Sequence, residues 1–360
     1  MSADPDSAAD HSALTSSRPH VHVHDARCSH DEGAPSAAVD AGGARPPSPP
    51  PAHRVVNCVD VVPLSADTEE ISWVGTAGAK VTLLAGLDAC PRLRVLRLRS
   101  NLLASTAGLR AVAGTLEVLE VYDNQLRELE DLGGAAALVE VDASYNQLHS
   151  LDGLRGAHAL RVLFAAGNRL RDGFPSDALA GAARSLVRLD LGANGLTDMR
   201  GVGALTALEE LWLGKNRITA LEGLESLSRL RILDVQSNRL TSMVGLPALP
   251  ALCELYLAHN GISALDAGAL AALPSLTTLD VTANPIEDLG PITGACALED
   301  VWAGYTKLAT FESLAALQSL PSLQTLYLEH APIAKDWEYR LRVMRELPTL
   351  TQLDADAIRR

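Results

Sequence analysis

The chain has 360 residues, of which 47% are hydrophobic and only 4% aromatic, so it can bury a large core that must be aliphatic. Its formal net charge of −14 argues against nucleic acid, which needs a basic stripe, and against anionic membranes, which attract polybasic surfaces. The five cysteines, at 28, 58, 90, 253 and 296, are odd in number and free of CxxC spacing, which predicts reduced thiols.

Residues 1–54 are rich in Ala, Ser, Pro, Asp and His and end in Arg45-Pro-Pro-Ser-Pro-Pro-Pro51. They offer almost no apolar periodicity, so burial cannot offset the entropy of ordering them, and a disordered tail is expected. The alternating run His20, His22, His24, with Cys28 and His30 beyond it, has the composition of a metal binder. Such a tract lacks surrounding groups to fix a coordination geometry, so neither a metal site nor a cofactor is expected. The N-terminus opens on Asp, Ser and Ala and not on a basic stretch followed by an apolar run, which predicts no signal peptide. No stretch approaches the ~18 consecutive apolar residues of a membrane span.

Residues 55–90 read as an N-terminal cap with a degraded first repeat, in which Ile71, Val74, Val81, Leu84 and Leu87 hold repeat positions and Ala79 replaces an asparagine. Over 91–333 one pattern takes over. Asparagines recur at 101, 124, 146, 168, 194, 216, 238, 260 and 284, most often 22 residues apart, each in a frame LxxLxLxxNxL such as Leu208 through Ile218. A fixed period in the range of about 20–29 residues with this frame is the signature of leucine-rich repeats. The expected fold is therefore an α/β leucine-rich-repeat solenoid.

In each LxL the two apolar side chains point inward and the residue between them points out, because strand side chains alternate. Stacked coils then form a curved parallel sheet on the concave face. The asparagine amide satisfies backbone groups where the chain leaves the strand, and later leucines such as Leu221 and Leu224 return to the core through short helical or irregular convex segments. The longer step from Asn168 to Asn194 places an insertion around residues 172–184, on a loop. Thr306 and Ala331 replace the asparagine in the last two repeats, as capping repeats allow. Residues 334–360 read as a C-terminal cap, helical over 335–348 with Tyr339, Val343, Met344 and Leu347 on one side, completed by Leu350, Leu353 and Ile358.

No Walker loop, GxSxG, HExxH or paired CxxC occurs, so no catalytic residue is assigned. The informative positions are those inside each LxL: Gly75, Arg97, Glu120, Asp142, Phe164, Asp190, Trp212, Asp234, Tyr256, Asp280, Trp302 and Tyr327, flanked by Glu140, Glu210, Glu254, Asp300 and Tyr122. At about 4.8 Å per strand the stripe from Phe164 to Tyr327 runs roughly 34 Å. Exposed aromatics cost solubility and anchor interfaces. An acidic, aromatic face of this kind suits a protein partner that presents basic groups.

Leu211-Trp-Leu-Gly-Lys-Asn216-Arg-Ile, Val235-Gln-Ser-Asn238-Arg-Leu-Thr and above all Tyr327 through Asp336 with Leu353-Asp354-Ala355 resemble the leucine-rich-repeat regulatory subunit family of type-1 serine/threonine protein phosphatase, regulatory subunit seven. The resemblance covers residues ~71–360. It implies a non-catalytic protein of nucleus and cytoplasm that grips the phosphatase catalytic subunit, often alongside an inhibitor-3-type protein, and influences its maturation and localisation, including in mitosis. The contact residues it implies are Asp142, Phe164, Asp190, Trp212, Asp280, Asp300, Trp302 and Tyr327, to which the row adds Tyr256. Asp190 and Asp300 stand where Glu is usual in the family, and Trp212 where Phe is usual. The alternative is a structural adaptor, such as an axonemal or cytoskeletal repeat protein. Arg161-Val-Leu-Phe164 spells the short RVxF docking motif of phosphatase regulators, but a docking peptide must be free to add to a sheet edge, and this segment is expected to be a strand already.

Overall fold

The computed structural model describes residues 56–358 apart from 63 and 77; the expected disordered tail over 1–54 lies outside them. Sixteen short strands follow in chain order: β1 Glu70–Ser72, β2 Val95–Arg97, β3 Val118–Glu120, β4 Glu140–Asp142, β5 Val162–Phe164, β6 Arg171–Asp172, β7 Arg188–Asp190, β8 Gly195–Leu196, β9 Glu210–Trp212, β10 Ile232–Asp234, β11 Glu254–Tyr256, β12 Thr278–Asp280, β13 Asp300–Trp302, β14 Thr325–Tyr327, β15 Gln352–Leu353 and β16 Asp356–Ala357. Fourteen of them form one sheet in sequence order, while β6 and β8 make a separate pair. All neighbours in the large sheet run parallel except β15 and β16, which close its C-terminal edge as an antiparallel turn. The chain is a leucine-rich-repeat solenoid.

The register is the same from coil to coil, with the first leucine of one LxL beside that of the next, as in Leu211, Leu233, Leu255 and Leu279. These leucines are fully buried, as are Leu221 and Leu224 on the return side. The core is thus one aliphatic column. Each asparagine links two coils. Asn216 Oδ1 accepts the Leu196 amide at 3.0 Å, and its Nδ2 donates to the carbonyls of Leu191 and Leu213 at 3.0 and 2.9 Å. Asn284 repeats the pattern with Ile262, Leu257 and Val281. At the far end Asp354 takes over this role, accepting the Leu328 amide at 2.8 Å.

The residue before each asparagine adopts a left-handed backbone, with φ between 50° and 67°, although Gly167 is the one glycine among them. Elsewhere this conformation costs roughly 1–2 kcal/mol for an L residue. Here the turn is held because the same residue donates its amide to the next coil, as Ala283 does to Gly304 at 2.8 Å.

Three expectations need correction. β1 pairs with β2 so that Ser72 faces Arg97; Ser72, not Gly75, therefore holds the row position, and counting on from Ile71 and Leu96 brings Thr76 level with Asn101. Gly75 is required by close approach, since a Cβ there would lie 2.2 Å from the Ser100 carbonyl oxygen. Val74 is 57% exposed and is no core residue. The insertion is not a loop throughout, because it forms β6 and a helical turn over Ser176–Leu179 that buries Ala178 and Leu179.

In the C-terminal cap the helix spans Tyr339–Glu346, preceded by a 3-10 turn over Pro332–Lys335. It buries Tyr339, Val343 and Leu347 against the last coil, and Tyr339 donates its hydroxyl to Asp354 Oδ2 at 3.0 Å.

Candidate protein-binding face

The common register brings the last residue of each repeat's strand, the one inside LxL, into one row. From β4 to β13 that row alternates strictly between aspartate and aromatic: Asp142, Phe164, Asp190, Trp212, Asp234, Tyr256, Asp280 and Trp302. Tyr327 follows on β14 and breaks the alternation. Like residues therefore recur on every second strand, about 9.6 Å apart at the backbone. The rings lean together across that gap. Trp212 and Tyr256 stack with centroids 6.2 Å apart, and Tyr256 and Trp302 meet at 6.3 Å with a 45° tilt.

The row is less exposed than its place on an open face suggests. Asp234 and Asp280, on the strands between the leaning rings, keep only 4% and 9% of their surface, and the five aromatics are half-buried. The rings cover their own acidic neighbours.

Buried carboxylates need donors, and the strand ends supply them. Asp142, Asp190, Asp234 and Asp280 each accept the amide two residues on, from Ser144, Gly192, Gln236 and Thr282, at 2.8 to 3.0 Å. Asp234 also accepts from Gln236 Nε2 at 2.9 Å. These bonds do not cancel desolvation. Burial pushes the Asp190 carboxyl up to about 6, and the charges of Asp234 and Asp142 push the same way against the Gly192 amide. Burial likewise raises Asp234 and Asp280 above the usual carboxylate range. The face thus stores negative charge that a cationic partner would stabilise.

Acids flank three of the five aromatics on their own strands. Glu210, Glu254 and Asp300 sit two residues before Trp212, Tyr256 and Trp302, whereas the strands between carry Ile232 and Thr278 at that register. Asp300 therefore belongs to this parallel line and not to the central row. Tyr256 donates its hydroxyl to Glu254 Oε2 at 2.7 Å, and Tyr327 to Glu329. Burial first, and then these bonds, hold both phenols protonated well above their ordinary range.

The N-terminal end differs in chemistry. Arg97 pairs with Glu70 at 2.6 Å, and Arg99 with Glu120 at 3.0 Å while lying over the Tyr122 ring at 4.6 Å. Charge is neutralised within the chain there. Val162, Leu163 and Phe164 of the RVxF segment form β5, between β4 and β7, with Leu163 fully buried. A cavity lined by His149, Asp152, Arg155, Arg171, Phe174 and Asp177 lies beside the insertion and contains none of the row. Among the described residues no group of three or more His, Cys, Asp or Glu is placed to hold a metal ion, and no helix is long and apolar enough to cross a membrane.

Asp234 is the residue the candidate set lacked, although it is the most buried acid of the row. Its signal in the sequence was its place in the alternation between Trp212 and Tyr256.

Comparison with known proteins agrees with the architecture. A profile described as leucine-rich repeats in two copies matches residues 206–248 and 250–294. The protein phosphatase 1 regulatory subunit 7 of Xenopus tropicalis is 43% identical over 49 residues, 14% of either chain. The human cilia- and flagella-associated protein 410 is 28% identical over 100 residues, 27% of this chain and 39% of that protein. The chain thus spans well under half the length of these relatives. An internalin from Listeria monocytogenes shares the fold with a TM-score of 0.64 and 21% identity, over 81% of this chain and 88% of that one.

Proposed function

We propose that this leucine-rich-repeat protein is a non-catalytic regulatory subunit that binds the catalytic subunit of type-1 serine/threonine protein phosphatase across its acidic, aromatic sheet face. The reading is carried by the alternation from Asp142 to Trp302, in which half-buried rings offer desolvated anchors beside carboxylates held by backbone amides. The short similarity to protein phosphatase 1 regulatory subunit 7 supports it. Asp142, Phe164, Asp190, Trp212, Tyr256, Asp280, Asp300, Trp302 and Tyr327 form the proposed contact set, joined by Asp234 beneath the rings. Control of phosphatase activity, maturation or localisation in nucleus and cytoplasm, with an inhibitor-3-type protein as a further partner, belongs to the same proposal.

A second reading is a structural adaptor, favoured by the longer match to the cilia- and flagella-associated protein. Affinity capture on the full chain, followed by titration of purified type-1 catalytic subunit, separates the two. The regulatory reading expects saturable one-to-one binding of the catalytic subunit. Recovery of cytoskeletal or axonemal proteins, with no binding of the purified catalytic subunit, supports the adaptor and overturns the proposal.

A further inference from the structure

The C-terminal cap carries an apolar surface that the sheet face does not use. Trp337 is 85% exposed and Leu341 70% exposed. Trp337 lies in the turn that leads into the helix, where Asp336 accepts the amides of Glu338 and Tyr339 at 2.8 and 3.0 Å, and Leu341 is exposed on the helix itself, whereas Tyr339, Val343 and Leu347 are buried. Arg345, one further turn along, is exposed and completes the stripe. The two sides of the helix are fastened to the body. Arg340 pairs with Asp356 at 3.1 Å, and Arg342 pairs with Glu346 at 2.8 Å while its guanidinium lies 3.9 Å from the Phe311 ring centre. The outer stripe is thus held rigid and outward, and its exposure is not a frayed end.

Spacing and charge together identify an occupant. Trp337, Leu341 and Arg345 are evenly spaced about Leu341, so the stripe is complementary to itself under a two-fold axis through that residue. At about 1.5 Å of rise per residue, Arg345 lies about 6 Å from the axis along the helix, and Trp337 stands the same number of residues on the other side, in the lead-in turn. In an antiparallel pair, each Trp337 ring would meet the Arg345 guanidinium of the second copy, a favourable cation–π contact, and the two Leu341 side chains would meet at the centre. Glu338 adds to the match. Its carboxylate makes no ion pair among the described residues, and in the antiparallel pair it lies level with the same arginine. Arg345 itself reaches only Glu346, at 3.8 Å, where Arg342 is already bound. A self-complementary patch of this kind is what an isologous dimer requires.

We infer that two copies of this chain associate through the cap helix, with Leu341 on the two-fold axis and Trp337 and Glu338 of each copy on Arg345 of the other. Four side chains from each copy are far fewer than the roughly 20–30 residues a side of a standard interface, so the dimer is concentration-dependent.

Sedimentation equilibrium of the full chain from about 10 µM to 1 mM tests this over the range of a weak association. Wild type should pass from monomer to dimer. Leu341→Asp should raise the dissociation constant at least ~10-fold, since it buries two like charges at the axis. Glu338→Arg and Arg345→Glu, each alone, should also weaken the dimer, because each sets like charges opposite one another. An equimolar mixture of those two variants should recover association, since both contacts of the mixed dimer then hold opposite charges. Melting curves equal to wild type confirm that these exposed changes leave the fold intact. A wild type that remains monomeric at 1 mM, an unchanged Leu341→Asp dimer, or a mixture no tighter than its parts would overturn the inference.

Discussion

Replacing Asp190 by Asn should stabilise the protein at neutral pH and do so progressively less as the solution is acidified. An ordinary aspartate titrates near 3.8, as it does in the unfolded chain, whereas burial holds this carboxyl at about 6 in the fold. Because the folded value is the higher one, the folded state binds the proton more tightly. The stabilising contribution is complete below pH ~4 and is lost as pH rises through about 6. The whole span corresponds to roughly 3 kcal/mol, an upper bound for a group that water still partly reaches. Asparagine keeps an oxygen to accept the Gly192 amide, bound at 2.8 Å in the wild type, and cannot ionise. Its amide also turns a donor toward the charges of Asp142 and Asp234. Urea unfolding of wild type and Asp190→Asn in parallel, at steps between pH 4 and pH 8, reads the difference directly. The variant should gain about 1–3 kcal/mol at pH 7.5 and little at pH 4. A gain that is independent of pH, or a variant less stable than wild type at pH 7.5, would refute the account of a desolvated acidic row.

Asn284→Ala removes one oxygen acceptor and one amide donor from a site only 1% exposed, leaving the Ile262 amide and the Leu257 and Val281 carbonyls without that partner. Chemical denaturation should show a loss of about 2–4 kcal/mol, the scale of several orphaned buried groups. Ala283→Gly acts oppositely: φ there is 54°, and relief of the left-handed penalty exceeds the entropy that glycine costs by about 0.5–1 kcal/mol. A higher unfolding midpoint than wild type checks it, and a lower one would mean that the methyl group packs usefully.

The coil was legible because its rules are local. Leu208-Glu-Glu-Leu211-Trp-Leu213 and Asn216 state in one short stretch which side chains enter the column and which amide bridges two coils. What the sequence left hidden depends on neighbours one or two coils away. Nothing local says that Trp212 will lean across a strand to Tyr256, so the burial of Asp234 between them became visible only in three dimensions. The first coil was misread for a related reason. A turn between Thr76 and Ala79 lengthens the stretch before Val81, so that a frame counted back from Ala79 falls three residues late and picks Gly75 over Ser72. The insertion after Asn168 has the small and polar residues of a loop, yet Gly195 and Leu196 of the next coil offer β6 a partner. In the cap, Tyr339, Val343 and Leu347 announced a buried face, but the bare stripe of Trp337 and Leu341 emerged only once that face had been seated.

In the proposed function the half-buried rings of the sheet face anchor the phosphatase catalytic subunit. Titration of that subunit against wild type, Trp302→Ala and Tyr327→Ala tests it most directly, with Glu222→Ala and Ser228→Ala as controls on the exposed return side. Each aromatic truncation should weaken binding by ~2 kcal/mol or more, the scale of an interface hot spot, while the controls stay near wild type and all melting curves remain close together. Wild-type affinity in both aromatic variants, with their folds intact, would contradict the account and place the partner elsewhere.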